Sequence, residues 1–286
     1  VSDALHTRVT GEGRPVVVLE AGIAASSLSW SLVQDRVAKF TTVLSYDRAG
    51  FGESRVPGKG DGTARASAED LASMLASSGL PGPYVLAGHS FGGLIVRVFQ
   101  QRYPDMVAGL VLVDPVVRAD WREMTPRLKR GVVLSRRGAV LARLGVVRLA
   151  LGLLTSGRHR VPKLLARASA GNGAGVADRL VAQVRKMPSE HWPRIAGHWS
   201  EARSFEAMAR NLEQLPVSVK QLDESRGLGD LPMVVLSAGK PNPEHEADAR
   251  LSTRGEAVVV PESGHWMQLD APDVVAEAIQ RVVRMV

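Results

Sequence analysis

Three kinds of residue in this chain could do chemistry together: a serine between glycines, a histidine in a short glycine loop near the C-terminus, and carboxylates between them. The serine is Ser90 of Gly88-His89-Ser90-Phe91-Gly92, preceded by the apolar run Tyr84-Val85-Leu86-Ala87 and followed at once by Leu94-Ile95-Val96-Arg97-Val98-Phe99. That order predicts strand, sharp turn and helix, with the hydroxyl exposed at the helix N-terminus. There the backbone N–H groups and the positive helix end favour the negative charge that grows on an attacked carbonyl oxygen. His265, in Ser263-Gly264-His265, follows the last apolar run and is placed to reach over the same edge as a general base. The chemistry such a pair performs is nucleophilic acyl transfer. One oxyanion donor is expected from the Phe91 amide and the second from the small-residue loop Ala21-Gly22-Ile23, with Ile23 as the candidate.

The elements that would carry these groups follow from the apolar pattern. Val16–Glu20, Thr42–Tyr46, Tyr84–Ala87, Gly109–Val113, Leu231–Ser237 and Ala257–Val260 read as strands whose apolar runs are continuous instead of alternating with polar residues. Helical segments fall between them: one from near Leu28, one over 67–79 with Ser67 as its N-cap, the one after Ser90, and one from near Pro272. Continuous apolar strands separated by helices predict an α/β fold, a mostly parallel sheet covered on both faces. Ligands of such sheets bind at the carboxyl ends of the strands, where Ile23, Ser90 and Asp114 all lie. Asp47 and Arg48 are expected to pair and brace the turn that follows Tyr46.

Residues 116–230 break the rhythm, with no convincing strand until Leu231, which predicts a helical insertion. If Gly131 to Gly157 is helical, Gly131, Gly138, Gly145 and Gly152 make a nearly straight small-residue stripe for close packing. Arg136, Arg137, Arg143 and Arg148 fall within an arc of about 140°. This segment is expected to be the underside of a lid, with a position on a membrane surface as the alternative. His191-Trp192 and His198-Trp199, seven apart, are expected to pack in the lid and line the substrate pocket; a metal site there would lack further ligands. His159, between Arg158 and Arg160, reads as solvated.

Bulk composition narrows the rest. The chain has 286 residues, enough for one large domain or a core with an insertion, and no cysteine, so disulfides, thiolate metal sites and a thiol nucleophile are excluded. The net charge of +7 is unevenly placed: residues 115–230 hold 21 Lys and Arg against 10 Asp and Glu. Such a basic segment fits contact with anions such as lipid headgroups or acidic substrates, or else a solvated face, and it contains no nucleic-acid recognition module. With no leader and no apolar run long enough to span a bilayer, a cytoplasmic location is expected. Oligomeric state is not legible.

Glu20-Ala21-Gly22, Tyr46-Asp47-Arg48-Ala49-Gly50-Phe51-Gly52, Gly88-His89-Ser90-Phe91-Gly92 and Ser263-Gly264-His265 together resemble the α/β-hydrolase superfamily. The resemblance implies a core over 1–115 and 231–286 with a helical cap over 116–230, a Ser/acid/His triad with Ser90 as nucleophile and His265 as base, and no metal or organic cofactor. The leading expectation is hydrolysis of a small-molecule carboxylic ester, and the apolar, arginine-rich makeup of the lid points to a hydrophobic or lipid-like acyl group. The alternatives are acyl transfer, C–C bond hydrolysis, or a ligand receptor with little turnover. Serine at position 90 argues against haloalkane dehalogenase or epoxide hydrolase chemistry, which uses aspartate there. Most members place the acid after the strand that is Leu231–Ser237 here, where this chain has Gly239-Lys240-Pro241-Asn242; Asn242 cannot supply the charge. Asp114, where some members carry their acid, is the first candidate, Glu244 the alternative, with Glu246 and Asp248 behind it.

Overall fold

The apolar runs pair into one seven-stranded sheet in the computed structural model, which describes residues 5–55, 60–155 and 182–286. The strands are β1 Thr7–Thr10, β2 Val17–Glu20, β3 Val43–Tyr46, β4 Tyr84–His89, β5 Val107–Val113, β6 Met233–Ala238 and β7 Gly255–Val260, in the order β1-β3-β2-β4-β5-β6-β7. β1 runs antiparallel to β3 and every other pair is parallel. Helices α1 Ser31–Val37, α2 Ala64–Ser77 and α3 Phe91–Arg102 alternate with the early strands. Between β5 and β6 lie α4 Pro126–Arg143, α5 Val146–Thr155, α6 Trp192–Trp199, α7 Ala202–Glu213 and α8 Leu215–Lys220. Helices α9 Pro243–Ala249, α10 Met267–Asp270 and α11 Pro272–Met285 accompany the last strands.

Both faces of the central strands β2 to β6 are buried, which is why their sequences are largely apolar. Val18, Leu86, Leu110 and Val235 join one cluster with Leu71 and Leu75 of α2 and Ile95 and Phe99 of α3. Their neighbours Val17, Val85, Val111 and Val234 point the other way, onto Val33 and Val37 of α1 and Val275, Ile279 and Val282 of α11. Each such side chain contributes about 1.5–3 kcal/mol when fully buried, so a polar substitution on either face of a central strand would be costly.

The elbow after β4 is packed at backbone distance. A Cβ on Gly88 would sit 2.4 Å from the Gly92 carbonyl oxygen, and one on Gly92 would sit 2.4 Å from the Glu20 carbonyl oxygen. The strand, the turn and the loop after β2 can therefore touch only through glycines.

Four sequence expectations need correction. The edge strand β1 was not foreseen, because Thr-Arg-Val-Thr is polar and alternates between exposed and half-buried. The N-cap of α2 is Thr63, whose hydroxyl accepts from the Ala66 amide at 3.2 Å, and Ser67 lies inside the helix. The stretch from Gly131 is not one helix: α4 ends at Leu144 and Gly145, at φ +74, turns the chain into α5. Gly131 and Gly138 do meet α7 closely, against Leu212 and Phe205, but Gly145 has left that stripe. Asp47 and Arg48 do not pair with each other. Asp47 accepts from the Ser27 and Glu53 amides at 2.6 and 2.8 Å, while Arg48 turns to Glu20 and the loop after β2.

The helices between β5 and β6 dock on the turn after β3. His198 Nδ1 accepts the Gly52 N–H at 2.7 Å, and Arg203 donates to the carbonyls of Gly52 and Ser54 at 2.6 and 2.7 Å. Asn211 donates to the Gly62 carbonyl at 2.9 Å. α4 packs along the other side of α7, and its Arg136 and Arg143 pair with Glu213 and Glu206. Arg158, His159, Arg160 and the end of the stretch to Gly157 lie outside the described residues.

Gly92→Ala is expected to destabilise the fold by about 3 kcal/mol, since neither neighbouring backbone can move aside. Gly197→Ala, where an added Cβ meets nothing within 4 Å, is expected to be neutral or to stabilise α6 by up to about 1 kcal/mol. Urea denaturation of both variants checks the contrast.

Candidate active site

Strand register brings the first two groups together. His89 of β4 pairs with Val113 of β5, so Ser90 and Asp114 are each the next residue past a paired strand end. Both turn away with φ in the left-handed region, +54 for Ser90 and +43 for Asp114, although neither is glycine. The turns are held by backbone bonds: the Ser90 amide donates to the Val113 carbonyl at 3.1 Å and the Asp114 amide to the Leu236 carbonyl at 2.8 Å. Non-glycine residues adopt this conformation at a cost of roughly 1–3 kcal/mol, and it points both side chains over the carboxyl edge of the sheet.

His265 arrives from the loop after β7 and completes the constellation. Its Nε2 lies 3.1 Å from Ser90 Oγ and its Nδ1 2.6 Å from Asp114 Oδ2. With the Nδ1 proton directed at the carboxylate, Nε2 presents a lone pair to the serine hydroxyl. The second Asp114 oxygen accepts the Ala238 amide at 3.1 Å. Burial pushes the Asp114 carboxyl up, but the hydrogen bonds from His265 and Ala238 and the charges of His265 and His245 outweigh it and leave it below the usual value. Asp114 therefore stays ionised where an imidazolium would form.

His89 was read from sequence only as part of the elbow, and the structure gives it a further contact. Its Nε2–H donates to the His265 backbone carbonyl at 2.7 Å, and its Nδ1 accepts from Gln268 at 3.3 Å. Burial, with the nearby His265, lowers it to about 3, so it is held as a neutral donor. The loop is fixed from its other side by Asp270, which accepts the Gly264 amide at 2.9 Å and pairs with Lys186 of the β5–β6 segment. A histidine inside a Gly-x-Ser-x-Gly turn was the only signal for this contact.

The loop after β2 passes beside the serine. A Cβ on Gly22 would lie 2.9 Å from His89 Nδ1 and 3.4 Å from Ser90 Cβ, Ile23 is the next residue of this loop, and Phe91 is the first residue of α3. Arg48 holds this loop by donating to the Ala21 and Gly22 carbonyls at 2.5 and 2.6 Å and to Glu20 at 2.5 Å. Glu20 is fully buried, which raises its pKa, and the Arg48 charge and the Tyr46 hydroxyl oppose that rise. A carboxylate within an apolar strand was the signal for this cluster.

The remaining sequence candidates sit elsewhere. Asn242 caps α9, its Oδ1 accepting the Glu244 and His245 amides at 2.9 and 3.4 Å. Glu244 accepts the Arg118 and Ala119 amides at 2.5 and 3.1 Å. Glu246 pairs with Arg250 at 3.7 Å, and Asp248 is buried between Arg97 and Arg118 at 3.0 and 2.8 Å. Of the carboxylates considered, the structure brings Asp114 to His265. His191 stands half-exposed before α6, whereas His198 is buried and bonded to Gly52, and Trp199 packs on Phe205. Trp192 lines a cleft with Arg148, Leu151, Pro193 and Ala196 that Ser90 does not line. Among the described residues, no three His, Asp or Glu side chains converge in a way that could hold a metal ion.

Residues 16–278 match the model of the Alpha/beta hydrolase family. The chain is 26% identical over 273 residues to the sn-1-specific diacylglycerol lipase ABHD11 of Mus musculus, covering 93% of this chain and 80% of that protein. It is 31% identical over 130 residues to the probable transporter efuK of Hormonema carpetanum, covering 43% of this chain and 19% of that protein. The chain spans 19%, 32% and 45% of the length of three curated relatives that it matches over shorter stretches. Among solved structures, a thermophilic esterase from Thermogutta terrifontis superposes with a TM-score of 0.66 at 26% identity, covering 98% of this chain and 93% of that one.

Burial makes stability depend on pH through two histidines. His89 is lowered to about 3 and His198 to about 4, in both cases chiefly by desolvation, against the ordinary 6.5. Below pH 6.5 the unfolded chain binds protons that the folded chain refuses, so their contribution is complete above that pH and is lost as pH falls toward 4. The slope is at most about 1.4 kcal/mol per pH unit for each histidine. Urea midpoints measured from pH 7 to 4.5 are expected to fall, and His89→Gln, which keeps a donor, is expected to flatten part of that decline.

Proposed function

The chain belongs to the Alpha/beta hydrolase family, and on that premise we propose that it is a serine hydrolase that cleaves a carboxylic ester through an acyl-enzyme. The observation that carries this reading is the unbroken line Ser90 Oγ, His265 Nε2, His265 Nδ1, Asp114 Oδ2, with contacts of 3.1 and 2.6 Å at its two ends. His265 takes the Ser90 proton as Oγ attacks the ester carbonyl, and Asp114 stabilises the imidazolium. The Phe91 and Ile23 amides receive the oxyanion. His265 then protonates the departing alcohol. Water, deprotonated by His265, attacks the acyl-serine, and collapse of the second tetrahedral adduct returns the proton to Ser90 and releases the acid.

Residues 1–115 and 231–286 are assigned as the core and 116–230 as the cap. The hydrophobic acyl group is proposed from the apolar character of the seam between cap and core, where Met187 and Ile195 are buried against Leu28 and Leu269, with Trp199 and Trp266 packed against them. Trp266 follows the proposed base directly and its ring lies 5.6 Å from that of His89. The lipase and esterase names of two relatives that match over most of this chain at 26% identity agree with the same class.

A series of p-nitrophenyl esters of increasing acyl length tests both parts. Ser90→Ala is expected to abolish turnover and Asp114→Asn to lower kcat by about 10³–10⁴-fold, while Glu244→Gln keeps a rate near wild type. Medium-chain esters are expected to be better substrates than acetate. A collapse in Glu244→Gln with Asp114→Asn intact would move the acid, and a clear preference for acetate would remove the hydrophobic acyl group.

A further inference from the structure

Helix α4 has an outer face that its inner packing does not account for. Leu128, Val132, Ser135, Ala139 and Ala142 are buried and face α7. At about 100° per residue, Arg130, Val133, Arg137, Val140 and Leu144 fall within about 80° on the opposite side. A solvent-facing helix surface ordinarily carries polar residues of both signs. Here Val133, Leu134, Val140 and Leu144 are exposed, Leu144 at 72%, and across the turn at Gly145 so are Val146 and Leu149, the latter at 63%. These six are most of the exposed large apolar residues among the described residues; Val9, Val217 and Val286 are the others.

The charges between them have one sign. Residues 126–155 contain seven Lys and Arg and no Asp or Glu. Arg136 and Arg143 lean to the side, onto Glu213 and Glu206. Lys129, Arg130 and Arg137 are exposed and have no ion-pair partner among the described residues. We propose that the outer face of α4 and the start of α5 is a docking surface for an anionic lipid bilayer, with the valines and leucines entering the headgroup boundary and the arginines engaging the lipid phosphates.

The chemistry selects a bilayer over a second copy of this chain. An isologous contact would lay the same unpaired cations against each other, whereas a bilayer offers apolar depth and negative charge together. Long arginine stems can lie along the apolar surface with their guanidinium groups at the phosphates. The orientation is consistent with the site, since α4 is stacked on α7, and α7 lies over the turn that follows β3 at the carboxyl edge. The inference does not depend on what Ser90 does.

Co-sedimentation with vesicles tests it, using phosphatidylcholine alone and phosphatidylcholine mixed with phosphatidylglycerol. The intact protein is expected to bind the mixed vesicles, to be released by high salt, and to ignore the neutral ones. Arg130→Gln and Arg137→Gln should each weaken binding about five-fold, and about 25-fold together. Val133→Ser with Leu144→Ser should weaken it without removing charge. Ser90→Ala should bind as wild type does, whatever its activity, and so should Arg281→Gln, which removes from α11 a cation paired with Glu256 of β7. Thermal melts by circular dichroism should be unchanged for these exposed positions. The proposal is overturned if the intact protein does not bind anionic vesicles, if Arg281→Gln weakens binding as much as Arg137→Gln, or if sedimentation shows a dimer that Val133→Ser with Leu144→Ser dissolves.

Discussion

The parallel pairing of β4 with β5 is the constraint on which the site depends. Because His89 is opposite Val113, the residues that leave the two strands next, Ser90 and Asp114, start side by side. Both then take a backbone conformation that non-glycine residues avoid, and the ladder itself supplies the restraint through the bonds of their amides to Val113 and Leu236. Local strain survives here because a wide, doubly covered sheet holds the strand ends on either side of it. The glycines at 88 and 92 belong to the same constraint, since any side chain there would push strand, turn and helix apart.

Much of the fold could be read from the chain because burial on both faces leaves a continuous apolar run, and the six runs so identified became strands. The exception, β1, is an edge strand with one partner and a polar sequence, and its place depends on the neighbour β3, which no local pattern encodes. The helix break at Gly145 was hidden for a similar reason. A glycine every seven residues suits a packed helix as well as a turn, and only the approach of α7 to Gly131 and Gly138 separates the two uses.

Within the site, Ser90 and His265 were legible because glycine spacing marks the turns that carry them. Among the carboxylates, Asp114 already stood first as the candidate from sequence and is the one that meets His265, but what holds the others was not legible, because their partners lie far away in sequence. Glu244 is committed to the Arg118 and Ala119 amides, and Asp248 to a buried cluster with Arg97 and Arg118. Asn242, which looked like a damaged acid position, turns out to be a helix cap whose neutral amide oxygen meets two backbone donors. The contact from His89 to the His265 carbonyl was equally invisible, being a relation between a strand end and a loop 176 residues apart.

With Asp114 leaving β5 beside Ser90, this arrangement has a simpler assembly problem than one that gathers three side chains from three separate loops. Hydroxyl and carboxylate are already set by one ladder, so the geometry has a single remaining variable, the placement of the segment that brings the imidazole. That segment is tethered at the His265 carbonyl by a ring from the elbow and at the Gly264 amide by Asp270, which also reaches Lys186 above. Any shift of that segment moves one ring and leaves Ser90 and Asp114 on their ladder, so the tolerance of the whole arrangement is the tolerance of that one loop.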